Sequence, residues 1–137
     1  MSQPQSNVNM EAGNSAERGA PAQHILLVED EMIIAFDLVD RLEDCGFIVD
    51  GPHPSVARAL AAIDARTPDG AVLDVQVTDG TVFPVADRLK DMAVPFVFHS
   101  GHASPEELRE RYPRADVCTK PCPIGTLESR LQKLVMK

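Results

Sequence analysis

Residues 24–31 read His24-Ile25-Leu26-Leu27-Val28-Glu29-Asp30-Glu31. Four consecutive apolar residues without alternation mark a strand covered on both faces, as in a parallel sheet layered between helices. The run stops in three carboxylates, so charge collects where the strand ends. Directly after it, Ile34, Leu38, Leu42 and Cys45, with Ala35 and Val39 beside them, recur at three- and four-residue spacing and share one helical face, which Gly46 ends.

The same strand and helix unit repeats along the chain. Phe47 to Val49 predicts a second strand running into a turn at Gly51-Pro52-His53-Pro54, and Ser55 caps a helix with Val56, Ala57, Leu60, Ala61 and Ile63 inward. Thr67-Pro68-Asp69-Gly70 turns into a short buried strand, Ala71-Val72-Leu73, that ends in Asp74. Val82, Val85, Ala86 and Leu89 form the next helical stripe, and Phe96-Val97-Phe98 predicts the fourth strand. Ser104-Pro105-Glu106-Glu107 joins a cap serine, a proline at the first helical position and a glutamate three residues after the cap, opening a helix that Pro113 closes. Val117 to Thr119 predicts the fifth strand. After Lys120-Pro121, the set Ile124, Leu127, Leu131, Leu134 and Val135 marks a last helix. Alternating strands and helices predict an α/β fold over residues 23–137, a doubly wound five-stranded parallel sheet. Residues 1–22 are polar and aperiodic, and a disordered tail is expected there.

With 137 residues, 44% hydrophobic and 25% charged, the chain has the size and composition of one globular domain. Thirteen Lys and Arg against 21 Asp and Glu give a net charge of −8, the wrong sign for gathering nucleic-acid phosphates. No apolar run approaches the ~20 residues of a membrane span, and the first twenty residues lack a signal core, so no membrane partner and a cytoplasmic location are expected. Three cysteines predict no disulfide framework: reduced thiols are expected, with Cys45 and Cys118 as small buried residues and Cys122 more exposed.

Open α/β sheets bind ligands beyond the carboxyl ends of their strands, where this chain places Glu29, Asp30, Asp74, Ser100 and Lys120. Gathered carboxylates repel unless a cation neutralises them, and an all-oxygen set suits Mg²⁺. A lysine and a hydroxyl opposite add donors, so the chemistry expected is phosphoryl: a carboxylate nucleophile holding an acyl phosphate, with Mg²⁺ and the lysine stabilising the transferring group. A zinc set of His99, His102, Cys118 and Cys122 is a lesser alternative.

These residues, in this order and spacing, resemble the receiver domains of two-component response regulators over His24 to Lys137. The resemblance implies the CheY-like strand order 2-1-3-4-5. It implies a phosphoacceptor role for Asp74, served by a sensor histidine kinase or histidine phosphotransfer protein. Mg²⁺ would be held by Glu29, Asp30, Asp74 and the backbone carbonyl of Gln76. Ser100 would be the switch hydroxyl and Lys120 the phosphoryl partner, Pro121 would follow a cis bond, and Gln76 and His102 would tune hydrolysis. The early Asp79-Gly80 pair after Asp74, and Pro95-Phe96-Val97 leading into Phe98-His99-Ser100-Gly101-His102, resemble the FATGUY receivers of alphaproteobacteria. Their Phe-Ala-Thr-Gly-aromatic pattern is changed here at His99, Ser100 and His102, and Ser100 keeps the hydroxyl. Val117 stands where common receivers carry an aromatic, so no rotating ring is expected there.

The implied function is a stand-alone receiver without an output domain. It would act by contact with a downstream protein, or as a phosphate sink and feedback regulator of a kinase tied to stress responses. It would be no enzyme beyond its own phosphorylation and dephosphorylation. The alternatives are an unphosphorylated pseudo-receiver module and a small Mg²⁺-dependent phosphohydrolase.

Overall fold

Strand β1, His24–Val28, is buried from Ile25 onward, and pairs in parallel with β2 (Ile48–His53) on one side and β3 (Gly70–Leu73) on the other. Beyond β3 a two-residue hairpin, β4 (Gln76–Val77) and β5 (Gly80–Thr81), stands apart from the sheet. β6 (Phe96–Ser100) then pairs with β3, and β7 (Asp116–Thr119) with β6, giving the parallel order β2-β1-β3-β6-β7. With the hairpin set aside, that is the expected 2-1-3-4-5. The crossovers are α1 (Met32–Asp44), α2 (Val56–Ala65), α3 (Phe83–Asp91) and α4 (Pro105–Arg111), and α5 (Ile124–Val135) follows β7. This computed structural model describes residues 22–101 and 103–135, so the expected tail, apart from Ala22, and His102 lie outside the described residues.

Strand alternation sorts the core into two layers. Ile25, Leu27, Val72, Val97 and Cys118 face α1 and α5, meeting Ala35, Leu38, Leu42, Leu127 and Leu131. Leu26, Val28, Leu73, Phe96, Phe98 and Val117 face α2, α3 and α4, meeting Ala59, Ile63, Val85, Leu89 and Leu108. The continuous apolar run of β1 therefore serves both layers at once.

Several local expectations change. On α2, Ala57 and Ala61, expected inward, are exposed, and Ala59 is buried in their place. The Gly51-Pro52-His53 segment is strand, not turn. The β1 to β2 register moves from Leu26 opposite Asp50 to Val28 opposite His53, so Gly51 and Pro52 bulge out against Leu27. Gly51 takes φ +136°, and a Cβ there would meet the Leu27 carbonyl at 2.5 Å. Glycine is what lets the strand pass that point.

Cys118 and Cys122 are joined as a disulfide, with Cα atoms 5.9 Å apart, against the expectation of reduced thiols. The chain turns back after Thr119, so the residue four positions on returns beside Cys118, a proximity that spacing along the chain does not display. While the bridge holds, the two sulfurs are not free thiolates, and the zinc set lacks two of its four ligands. Cys45 is the one free cysteine among the described residues, and it is half-buried where a buried residue was expected.

Candidate acceptor site at the strand ends

Continuing each strand by its two-residue period carries four polar side chains above the α1 and α5 layer. Glu29 follows Ile25 and Leu27, Asp74 follows Val72, His99 follows Val97, and Lys120 follows Cys118. β1 and β3 end in register, Val28 opposite Leu73, and the Asp74 N–H donates to the Val28 carbonyl at 2.9 Å. That register sets Glu29 beside Asp74. β6 and β7 likewise end together, Ser100 opposite Thr119, and the Lys120 N–H donates to the Ser100 carbonyl at 2.8 Å. The β2 bulge adds one more tie, the Glu29 N–H donating to the His53 carbonyl at 3.0 Å.

Lys120 centres the group. Its Nζ lies 3.3 Å from Asp74 Oδ2, 3.1 Å from Glu31 Oε1 and 3.5 Å from Glu29 Oε1. Burial alone would lower the lysine pKa, but the hydrogen bond that Lys120 donates to Glu31 and the charges of Glu29 and Asp74 outweigh it and raise the net value. Glu29 is 1% exposed, and its carboxyl is pushed up to about 8, first by burial and then by the Asp74 carboxylate beside it, with Lys120 pulling the other way. One ammonium does not neutralise this set of carboxylates.

Carboxylate oxygens of Glu29, Glu31 and Asp74 lie within 4.8 Å of one another. A hard-oxygen donor set with surplus negative charge fits Mg²⁺, which binds through a few carboxylates and keeps several waters. Glu31 was not among the expected ligands. It occupies the N-cap position of α1, where its N–H donates to Glu29 Oε2 at 3.2 Å and its side chain folds onto Lys120. Asp30 is half-buried beside it and outside that trio. Three successive acids carry no signal of which the β1 to α1 turn aims inward.

Ser100, from the alternate strand phase, is buried, and its Oγ accepts the Ala103 N–H at 3.1 Å. His99 is also buried; its Nδ1 has no hydrogen-bond partner among the described residues and stands 4.0 Å from Glu29 Oε1. Burial, followed by the Lys120 ammonium, lowers its pKa below the usual imidazole value. Gln76 lies in β4 with its side chain exposed. The Lys120–Pro121 peptide is cis, as expected, and Gly51–Pro52 is cis as well. Val117 is buried and aliphatic. The single tyrosine, Tyr112, is buried instead among Phe83, Phe96 and Phe98, with ring centroids 5.4 to 6.0 Å away, and its hydroxyl donates to Asp87 at 2.6 Å.

No family model matches the chain. The phyllosphere-induced regulator PhyR of Methylorubrum extorquens is 32% identical over 103 residues, covering 73% of this chain; the match takes in 39% of that relative's length. A response regulator receiver protein from Sinorhizobium medicae is 30% identical with a TM-score of 0.75, the alignment covering 84% of this chain and 95% of that one. SdrG from Sphingomonas melonis is 32% identical with a TM-score of 0.70, covering 85% and 98%. Near-complete overlap with these structures, on a sheet whose strand ends gather Glu29, Asp74, Ser100 and Lys120, places the chain in the response-regulator receiver family.

Proposed function

We propose that this receiver accepts a phosphoryl group on Asp74 from the phosphohistidine of a sensor histidine kinase or histidine phosphotransfer protein, and later releases it to water. The observation that carries the reading is Lys120 Nζ at 3.3 Å from Asp74 Oδ2 beside a surplus of carboxylates. An Asp74 oxygen attacks phosphorus, the P–N bond to the donor imidazole breaks, and its electron pair returns to the imidazole nitrogen, which takes a proton. Lys120 turns from its carboxylates to the phosphoryl oxygens, and Ser100 supplies a hydroxyl across the site. Mg²⁺, held by Glu29, Asp30, Asp74 and the Gln76 carbonyl, with Glu31 adjacent, would offset charge on the carboxylates and on the transferring group.

A surface beside the site supports a protein donor. Among the described residues the exposed large apolar side chains are Met32, Ile33, Phe36 and Ile48, and the first three lie on the opening turns of α1. An apolar patch rimmed by the acidic loop suits a partner helix that presents a histidine.

Acetyl phosphate with Mg²⁺ and intact-mass measurement test the reading. One phosphoryl increment, lost in Asp74→Asn and slowed in Lys120→Ala, is expected. No increment with any donor would favour the pseudo-receiver module, and released phosphate without an adduct the phosphohydrolase.

A further inference from the structure

We propose that Cys118 and Cys122 form a reversible oxidative modification site, with peroxides as the oxidant class, and that their bridge fixes the position of Lys120. The bridge closes the loop Cys118-Thr119-Lys120-Pro121-Cys122, whose central residue holds the three carboxylate contacts of the acceptor site. Their Cα separation of 5.9 Å is the common disulfide span.

The two sulfurs have different surroundings. Cys118 is buried in the α1 and α5 core layer and belongs to β7, opposite His99. Cys122 is half-buried and stands two residues before α5. Its sulfur lies 3.7 Å from the Pro123 carbonyl oxygen, and its partial exposure makes it the sulfur of the pair that a dissolved oxidant reaches first. The third thiol does not compete. Cys45 Sγ lies 2.9 Å from Glu128 Oε2, and burial together with that carboxylate pushes its pKa up to about 11, keeping it protonated at neutral pH.

The steps balance. The Cys122 sulfur attacks a peroxide oxygen, the S–O bond forms as O–O breaks, and the departing hydroxide takes a proton to leave water and a sulfenic acid. The Cys118 sulfur attacks the Cys122 sulfur, S–S forms as S–O breaks, and the second hydroxide leaves as water with the Cys118 proton. Two thiols and hydrogen peroxide become a disulfide and two waters, with two electrons passing from sulfur to oxygen. A dithiol reverses it by exchange.

A bridge ties the Lys120 loop to β7 at one end and to the approach of α5 at the other. Without it the loop keeps its strand anchor and loses the second, so Lys120 spends less time against Asp74. The consequence for phosphoryl acceptance rests on the reading above; the thiol chemistry does not.

The experiment compares the full chain after peroxide and after dithiothreitol. Alkylation and mass measurement should find one free thiol, Cys45, in the first sample and all three in the second. Acetic anhydride labelling of the Lys120 amine should be about threefold slower in the bridged form, and Cys122→Ser should abolish that difference. Three free thiols after peroxide, a bridge to Cys45, or equal Lys120 labelling in both states overturns the proposal. Acetyl phosphate should load the bridged form faster. Equal loading of both states refutes the link to Asp74, whereas no loading of either removes the acceptor reading and leaves the thiol site intact.

Discussion

At the scale of single residues, Glu29 is the most informative side chain. Its carboxyl is held near pH 8 in the folded chain against an ordinary value of 4.5, so between those limits the folded state binds more protons than the unfolded one. Stability therefore falls as pH rises through that window, by at most about 1.4 kcal/mol per pH unit. His99 acts oppositely. With its folded pKa below 6.5 it binds fewer protons when folded, and stability rises with pH up to 6.5. Between pH 6.5 and 8 the Glu29 slope stands alone of the two. Urea unfolding across that interval should show the parent losing stability, Glu29→Gln staying level, and Mg²⁺ flattening the parent's slope by favouring the ionised carboxylate. A parent that is level from pH 6.5 to 8 without added cation would refute the account. Glu29, Asp74, Ser100 and Lys120 were legible in the sequence because each ends a strand whose apolar run is plain. Glu31 and His99 were not, since their inward aim depends on a turn and on strand phase.

Among the elements, α2 shows how non-local contacts complete what the sequence begins. Ser55 reads as a cap, and its Oγ accepts the Arg58 N–H at 3.2 Å. The first two N–H groups of the helix go elsewhere: Val56 donates to Asp79 Oδ1 at 2.7 Å and Ala57 to Oδ2 at 3.2 Å. Asp79 sits between β4 and β5, so the hairpin beyond Asp74 is pinned to α2, and those hydrogen bonds lower the Asp79 pKa. Asp79→Ala should lower the melting temperature, and Asp79→Asn, which keeps one acceptor, should lower it less; equal melting of all three would show the contact to be idle. Gly51→Ala tests the β2 bulge. At φ +136°, with the Leu27 carbonyl in the way, the substitution should cost at least about 1–3 kcal/mol in denaturant unfolding. That bulge was illegible because Gly-Pro-His-Pro carries the composition of a turn, and only pairing with β1 makes it strand. The α4 start was half legible. Ser104 Oγ accepts the Glu107 N–H at 3.4 Å, but its own hydroxyl donates to Glu106, so the reciprocal half of the capping box is replaced.

For the whole molecule, the alternation of strands and amphipathic helices was enough to read the architecture, because each β strand must be covered twice and each helix has one buried stripe. Among the described residues, coverage fails most on α1. On α1, Ala35, Leu38 and Leu42 are buried, while Ile33 is 84% exposed and Phe36 59%. These two serve no core, and with Met32 they adjoin the loop that carries Glu29 and Glu31. On the proposed role of Asp74, apolar side chains kept on an outer helix face of a chain of net charge −8, beside the acidic loop, suit a partner that approaches that carboxylate. Replacing Ile33 or Phe36 with aspartate leaves the buried stripe untouched, so folding should be preserved, with changes within about 0.5 kcal/mol. Transfer from a phosphohistidine protein should slow by about tenfold or more, the loss of one apolar anchor at a small interface. Transfer from acetyl phosphate, which needs no docking, should be unchanged. Stopped-flow or quenched mass measurement with both donors separates the steps: slowing with both places Ile33 and Phe36 in service of the site itself, and slowing with neither means that the donor docks on another face.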